Sequence, residues 1–219
     1  TSSSKLITFK AEKTLSSFNI SIPADPSSTL FYLFLFQHLK SEGEILELPH
    51  HYYNITRCYS WDMLKKSGHK LKFVPQRKNK SFEQLGSLHY SVINGKKKGF
   101  KLSGKYSAFV IDEIPLLMTW ALFLDEASTF KNLDELTHKE SNRLTEVQKI
   151  FACFGLKDHL KINSSQVIVT PLQEKKIKKI SNYSSDDHRM VMLYHCLLKI
   201  AKHKQILSAK EKKIISVSN

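Results

Sequence analysis

Residues Ile111 to Asp125 read "IDEIPLLMTWALFLD". Two acids lead straight into a run that is apolar in almost every direction of a helix. Pro115 falls in the first turn, where its missing N–H is tolerated, and Asp112 stands where a capping carboxylate belongs. A helix apolar all round is a buried one, so this segment predicts a helix inside the domain. The pattern recurs on both sides. "ADPSSTLFYLFLFQHLK", Ala24 to Lys40, has Asp25 as cap and Pro26 at the first helical position. "SSDDHRMVMLYHCLLKIA", Ser184 to Ala201, offers Asp186 or Asp187 as cap.

Between these helices lies a second repeated order. After the first helix come a strand ("GEILELP"), a more amphipathic helix ending in Gly68 ("TRCYSWDMLKKSG"), and strands in "HKLKFVP" and "HYSVIN". After the second come a short strand ("ASTFKNL"), a helix ending in Gly155 ("THKESNRLTEVQKIFACFG"), and one or two strands in "LKINSSQVIVTP". A βαβαββ-like unit therefore fits between leading aspartates 87 and 75 residues apart. An internal repeat of this kind means each unit buries its face against a neighbour. The third pass has its apolar helix and then "KQILSAKEKKIISV", read as strand. Ser218 is placed to cap a further helix, so more structure is expected after it.

Composition bounds the function. The chain has 219 residues, 41% hydrophobic and 25% charged, which suits a packed globular protein. Its net charge of +14, from 34 Lys and Arg against 20 Asp and Glu, favours anionic partners. The lysines are spread along the chain, and no basic-aromatic signature of an RNA-recognition module accompanies them. Three cysteines, Cys58, Cys153 and Cys196, show no CxxC spacing. Thiols in a reducing compartment are the expectation, rather than disulfides or zinc. His50, His51 and His138 lack metal-ligand spacing. The longest apolar run, "LFYLFLF" from Leu30, is far short of the roughly 20 residues of a membrane span. The start, "TSSSKLITFKAEK", has no apolar targeting core.

Chemistry gathers at the helix starts. Asp186 or Asp187 is explained by capping and by the helix dipole. His188 and Arg189 are not, because cations at a helix N-terminus are disfavoured unless an anion sits there too. Arg189 could instead pair with Asp186 or Glu140. In "THKESNRL", Thr137 to Leu144, Thr137 and Glu140 can form a capping box. Lys139 and Arg143 are then i,i+4 on one face, again cations at a helix mouth. Two such mouths point to a phosphate or carboxylate ligand.

"DDHRMVM", "HKESNRL", "IDEIPLLMTWALF" and "ADPSSTLFYL" together resemble the motifs of the enolpyruvyl transferase family, in family order and spacing. Within it the match is to the branch that acts on shikimate 3-phosphate. The resemblance implies an α/β fold in the mixed α+β sense: repeated βαβαββ units with buried helices, an inside-out α/β barrel. It implies that residues 21–219 are a carboxy-terminal domain lacking its final helix, with 1–20 a remnant of the preceding domain or hinge strand. It implies transfer of the enolpyruvyl group of phosphoenolpyruvate to the 5-hydroxyl of shikimate 3-phosphate, with loss of phosphate, in the cytoplasm and without a cofactor. By resemblance Asp112 is the base at the shikimate ring and Glu140 the proton-transfer partner. Lys139 contacts shikimate 3-phosphate. Arg143 and Arg189 clamp phosphoenolpyruvate, and His188 supports them. Arginine suits that clamp because its planar fork matches carboxylate and phosphate. The other partner implied is the amino-terminal half of the enzyme, without which this chain is expected to be inactive; membrane and nucleic acid are not expected partners. Three positions depart from the family pattern: Glu135 stands for an Asn, Asn142 for an Asp, and Val217 for a Lys. The rival readings are a degenerate member acting as a binding module and a basic nucleic-acid-binding domain.

Overall fold

The computed structural model describes residues 21–76, 84–138, 141–163, 166–203 and 207–216, with 8, 10, 17 and 19. The domain boundary read at residue 20 and the positions Lys139, Glu140, Val217 and Ser218 fall largely or wholly outside them.

The first unit begins at Ala24, which makes an isolated parallel bridge to His51. Helix α1 (Pro26–Leu39) follows. Asp25 caps it, accepting from the Ser28 backbone N–H at 2.9 Å, and Pro26 supplies its first turn. Strand β1 (Ile45–Tyr53) leads to α2 (Ile55–Ser67), which is capped by Asn54 and closed by Gly68 at φ 98°. Only a residue without Cβ adopts that left-handed conformation without strain. Strands β2 (Lys70–Pro75) and β3 (Gln84–Ser91) complete the unit in an antiparallel sheet of order β1-β3-β2. Gly86 is fixed by packing, since a Cβ there would stand 2.2 Å from the Val74 carbonyl oxygen.

The second unit repeats this plan. It comprises β4 (Lys101–Leu102), a single turn α3 (Tyr106–Phe109), α4 (Ile114–Ala121), β5 (Ser128–Lys131), α5 (Arg143–Cys153), β6 (Leu160–Ile162) and β7 (Gln166–Val169). Its sheet order is β4-β5-β7-β6. The last strand is again central, and β4 lies parallel to β5 as Ala24 lies parallel to β1. The βαβαββ repeat expected from the sequence is present twice. The third unit contributes α6 (His188–Ile200) and α7 (Ala209–Ser216).

Helices α1, α4 and α6 pack on one another at the centre. Every residue of α4 is buried, and Leu30, Leu33, Phe34, Trp120, Leu193 and Leu197 are sealed from solvent. The three cysteines are buried thiols.

Three expectations are corrected. Within the segment "KQILSAKEKKIISV", read as strand, residues Ala209–Ser216 are helix α7. Ser208 and Glu211 close a reciprocal capping box there: the Ser208 N–H donates to Glu211 Oε2 at 2.7 Å and the Glu211 N–H to Ser208 Oγ at 3.2 Å. The helix after β5 starts at Arg143, not Thr137, because Asn142 caps it by accepting from the Thr145 N–H at 3.2 Å. Thr137 instead ends a short 3-10 turn, Asp134–His138. The helix face read for Lys139 and Arg143 rests on Lys139, which lies outside the described residues. Finally, Asp112 does not stand at the cap position of α4; that position is Glu113, whose side chain makes no capping bond.

Candidate active site at three helix mouths

The N-terminal ends of α1, α4 and α6 come together. Ser27, in the first turn of α1, donates its hydroxyl to Glu113 Oε1 at the mouth of α4, 2.6 Å away. Arg189, in the first turn of α6, places Nη2 3.9 Å from Asp112 Oδ2. Each helix start carries partial positive charge, so their convergence favours negative charge here, part of which the capping carboxylates Asp25 and Asp187 already supply.

Arg143 ties this surface to α5. It is 1% exposed. Its Nη1 donates to Asp112 Oδ1 at 2.7 Å and its Nε to Asp187 Oδ2 at 3.0 Å. Asp187 caps α6 with its other oxygen, which accepts from the Arg189 and Met190 N–H groups at 3.0 and 3.4 Å. Ser141 Oγ donates to Asp187 Oδ2 at 2.9 Å. One carboxylate therefore serves as helix cap and as buried counter-ion. Burial alone would push its pKa up, but the Arg143 guanidinium, the Ser141 hydroxyl and the Met190 N–H outweigh it and hold the group below the usual range.

Glu113 goes the other way. It is 4% exposed, and burial pushes its carboxyl above the usual range against the Ser27 hydrogen bond and the nearby charge of Arg189. Asp25 is held low: burial raises it, but the Ser28 and Ser27 bonds and Arg189 lower it further. Arg57 Nη2 lies 3.3 Å from Asp25 Oδ1. Arg189, with a side chain 15% exposed, thus lies close enough to Asp25, Asp112 and Glu113 to act on the charge of each.

Among the residues expected at the site, the structure brings together Asp112, Arg143, His188 and Arg189. His188 is the half-buried first residue of α6. Of the two partners considered for Arg189 from sequence, Asp186 is engaged elsewhere. Asp186 is exposed and sits 2.9 Å from Lys210, and Glu140 lies outside the described residues, as does Lys139. Of the three departures from the family pattern, Asn142 fills the capping role that an aspartate would fill, and Glu135 is exposed. Sequence reasoning missed Glu113, Ser27 and the double duty of Asp187. The signal for Ser27 and Glu113 was available, since both sit in first turns of the repeated apolar helices. Among the described residues no cluster of three His, Cys, Asp or Glu is arranged to hold a metal, and no helix is long and apolar enough to cross a membrane.

A repeated βαβαββ architecture with three buried helices opening onto one basic and acidic mouth defines the enolpyruvyl transferase class. The EPSP synthase from Acinetobacter baumannii superimposes with a TM-score of 0.69 at 20% identity, covering 89% of this chain and 43% of that one. The enolpyruvyl transferase NikO from Streptomyces tendae superimposes with a TM-score of 0.51 at 9% identity, covering 82% of this chain and 37% of the other. The family model for EPSP synthase (3-phosphoshikimate 1-carboxyvinyltransferase) matches residues 1–211, and the chain belongs to that family. The 3-phosphoshikimate 1-carboxyvinyltransferase of Clostridium tetani is 29% identical over 183 residues, 84% of this chain and 40% of the relative. That of Helicobacter pylori is 30% identical over 193 residues, 85% and 43%. The chain spans about two fifths of the length of these curated relatives.

Proposed function

We propose that this chain supplies one wall of an enolpyruvyl-transfer site, with phosphoenolpyruvate and shikimate 3-phosphate as substrates. The observation that carries the reading is the partly exposed Arg189, held among three acids where three helix mouths meet. Arg189 receives the anionic end of phosphoenolpyruvate. The helix termini and His188 add to the attraction.

Asp112 is the base toward the shikimate hydroxyl. Arg143 fixes its orientation by gripping Oδ1, which leaves Oδ2 toward the Arg189 side. Accepting a proton at Oδ2 as the hydroxyl attacks is general-base catalysis. The developing negative charge at the transferring group falls beside Arg189. Glu140 and Lys139 are assigned to proton transfer to the methylene carbon and to contact with shikimate 3-phosphate. The opposite wall is the amino-terminal half of the enzyme, and the reaction belongs in the cytoplasm.

Calorimetric titration of both substrates into this chain tests the reading. Binding of phosphoenolpyruvate with a Kd near 1 mM, worth about 4 kcal/mol, and its loss in Arg189→Gln are expected of one wall. No heat up to tens of millimolar, or equal heat in Arg189→Gln, overturns it.

A further inference from the structure

A cavity opens at the far ends of α1 and α4. Helix α1 has 14 residues, so at about 1.5 Å per residue its far end lies roughly 20 Å from Asp25. There Gln37 and His38 of α1, His69 at the start of β2, Trp120 and Phe123 at the end of α4, and Lys97 line a cavity of about 600 Å³. None of these residues belongs to the helix mouths.

Three nitrogens in its lining residues have no hydrogen-bond partner among the described residues: His38 Nε2, His69 Nε2 and Trp120 Nε1. His69 is 6% exposed and Trp120 0%. An unpaired buried polar group costs about 1–3 kcal/mol, so a cluster of them asks for a ligand. The hydrogen-bond chain fixes what His69 offers. Tyr90 donates its hydroxyl to Gln37 Oε1 at 2.5 Å, so its oxygen accepts from His69 Nδ1–H at 2.7 Å. Nε2 of His69 therefore carries a lone pair. Burial pushes both imidazoles down to about 3, with nearby lysines adding to the effect, so they stay neutral. Trp120 Nε1–H is a donor only.

The His69 and Trp120 rings are edge-to-face with centroids 5.1 Å apart. One nitrogen is an acceptor and the other a donor, the complementary pair that a single hydroxyl can satisfy. His38 lies against Phe123 with centroids 4.4 Å apart and faces Trp120, which makes the adjoining walls aromatic. Lys97 uses two of its three protons on the Ile93 and Gly95 carbonyls. Lys175, bound to Asp125 at 2.7 Å, completes a cationic rim.

We propose that this cavity is a binding site for a small hydroxylated aromatic carboxylate: its ring lies among His38, Phe123 and Trp120, its hydroxyl bridges Trp120 and His69, and its carboxylate faces Lys97 and Lys175. The three nitrogens are shielded from solvent, so a ligand that reaches them displaces part of the lining.

The test is equilibrium binding of 4-hydroxybenzoate and benzoate to this chain, with Trp120→Phe and His69→Phe as variants. Each variant keeps an aromatic wall and removes one half of the hydroxyl bridge. The proposal expects 4-hydroxybenzoate to bind saturably and about 5- to 10-fold more tightly than benzoate, the size of one net hydrogen bond. It expects that preference to vanish in both variants. Trp120→Phe also removes an unpaired donor, so its melting temperature should not fall; a variant that melts early is replaced in the comparison by Lys97→Gln, which should weaken both acids alike. No saturable binding of either acid shows that water alone serves these nitrogens and overturns the proposal. So does an equal affinity for the two acids, or a hydroxyl preference that survives both substitutions.

Discussion

The mouths of α1 and α4 look alike in sequence and behave differently in the fold. Both are led by an aspartate and carry a proline in the first turn. Asp25 spends an oxygen on the Ser28 N–H and caps its helix. Asp112 stands outside the cap position of α4 and instead holds Arg143 and stands beside Arg189. The third mouth combines both habits, because Asp187 caps α6 and grips Arg143. Capping is thus optional at these positions, and the carboxylate that gives it up is the one that holds Arg143 beside Arg189.

Substitutions should separate the three aspartates. Asp187→Ala removes a cap and one carboxylate partner of the buried Arg143. Breaking a buried pair costs about 3–5 kcal/mol, which in a chain of this size lowers the melting temperature on the order of 10 °C. A loss under 1 kcal/mol would show that Arg143 finds another carboxylate. Asp112→Asn leaves Asp187 in place and should cost about 1–3 kcal/mol. Asp25→Ala loses a cap and a solvent-screened pair with Arg57, about 1–2 kcal/mol. If Asp112→Asn proves cheaper than Asp25→Ala, the contrast between the two mouths fails. Glu211→Ala, at the capping box of α7, should be mildest at about 0.5–1 kcal/mol, read as local fraying in hydrogen exchange.

The same contrast has a pH signature. Asp187 has a folded pKa below its unfolded value. Its contribution is therefore complete above the ordinary Asp range near pH 4 and is lost as pH falls through the folded value. Glu113 has a folded pKa above its unfolded value. The folded state then binds the extra proton, so its contribution is present at acid pH and lost as pH rises through the folded value. Glu113→Gln should flatten the decline in stability above about pH 4.5, and Asp187→Asn should flatten the decline below it. Denaturant melts across pH check both signs.

Much of this was legible in the residues. Apolar coverage identified the three buried helices, and turn-forming Gly68 and Gly155 marked where the amphipathic ones end. Capping was harder, because Asp25 and Asp112 differ only in what tertiary packing brings beside them. No local pattern says that Arg143 will arrive at Asp112 from 31 residues away. The α5 start was misjudged because Thr137 and Glu140 match the capping-box spacing while Asn142 caps without one. The α7 start was misjudged for the opposite reason: "SAKE" has that spacing, and the β-branched residues after it suggested a strand. The cavity at the far helix ends had no sequence signature, since its histidines lie on separate elements.

The most direct test of the converging mouths follows the Arg189 side-chain Nε resonance by 15N-edited NMR during titration with phosphoenolpyruvate. The account predicts a saturable shift of Arg189, a smaller one of His188, and none at Arg57. An unmoved Arg189, or a shift spread evenly over the surface lysines and arginines, would contradict it.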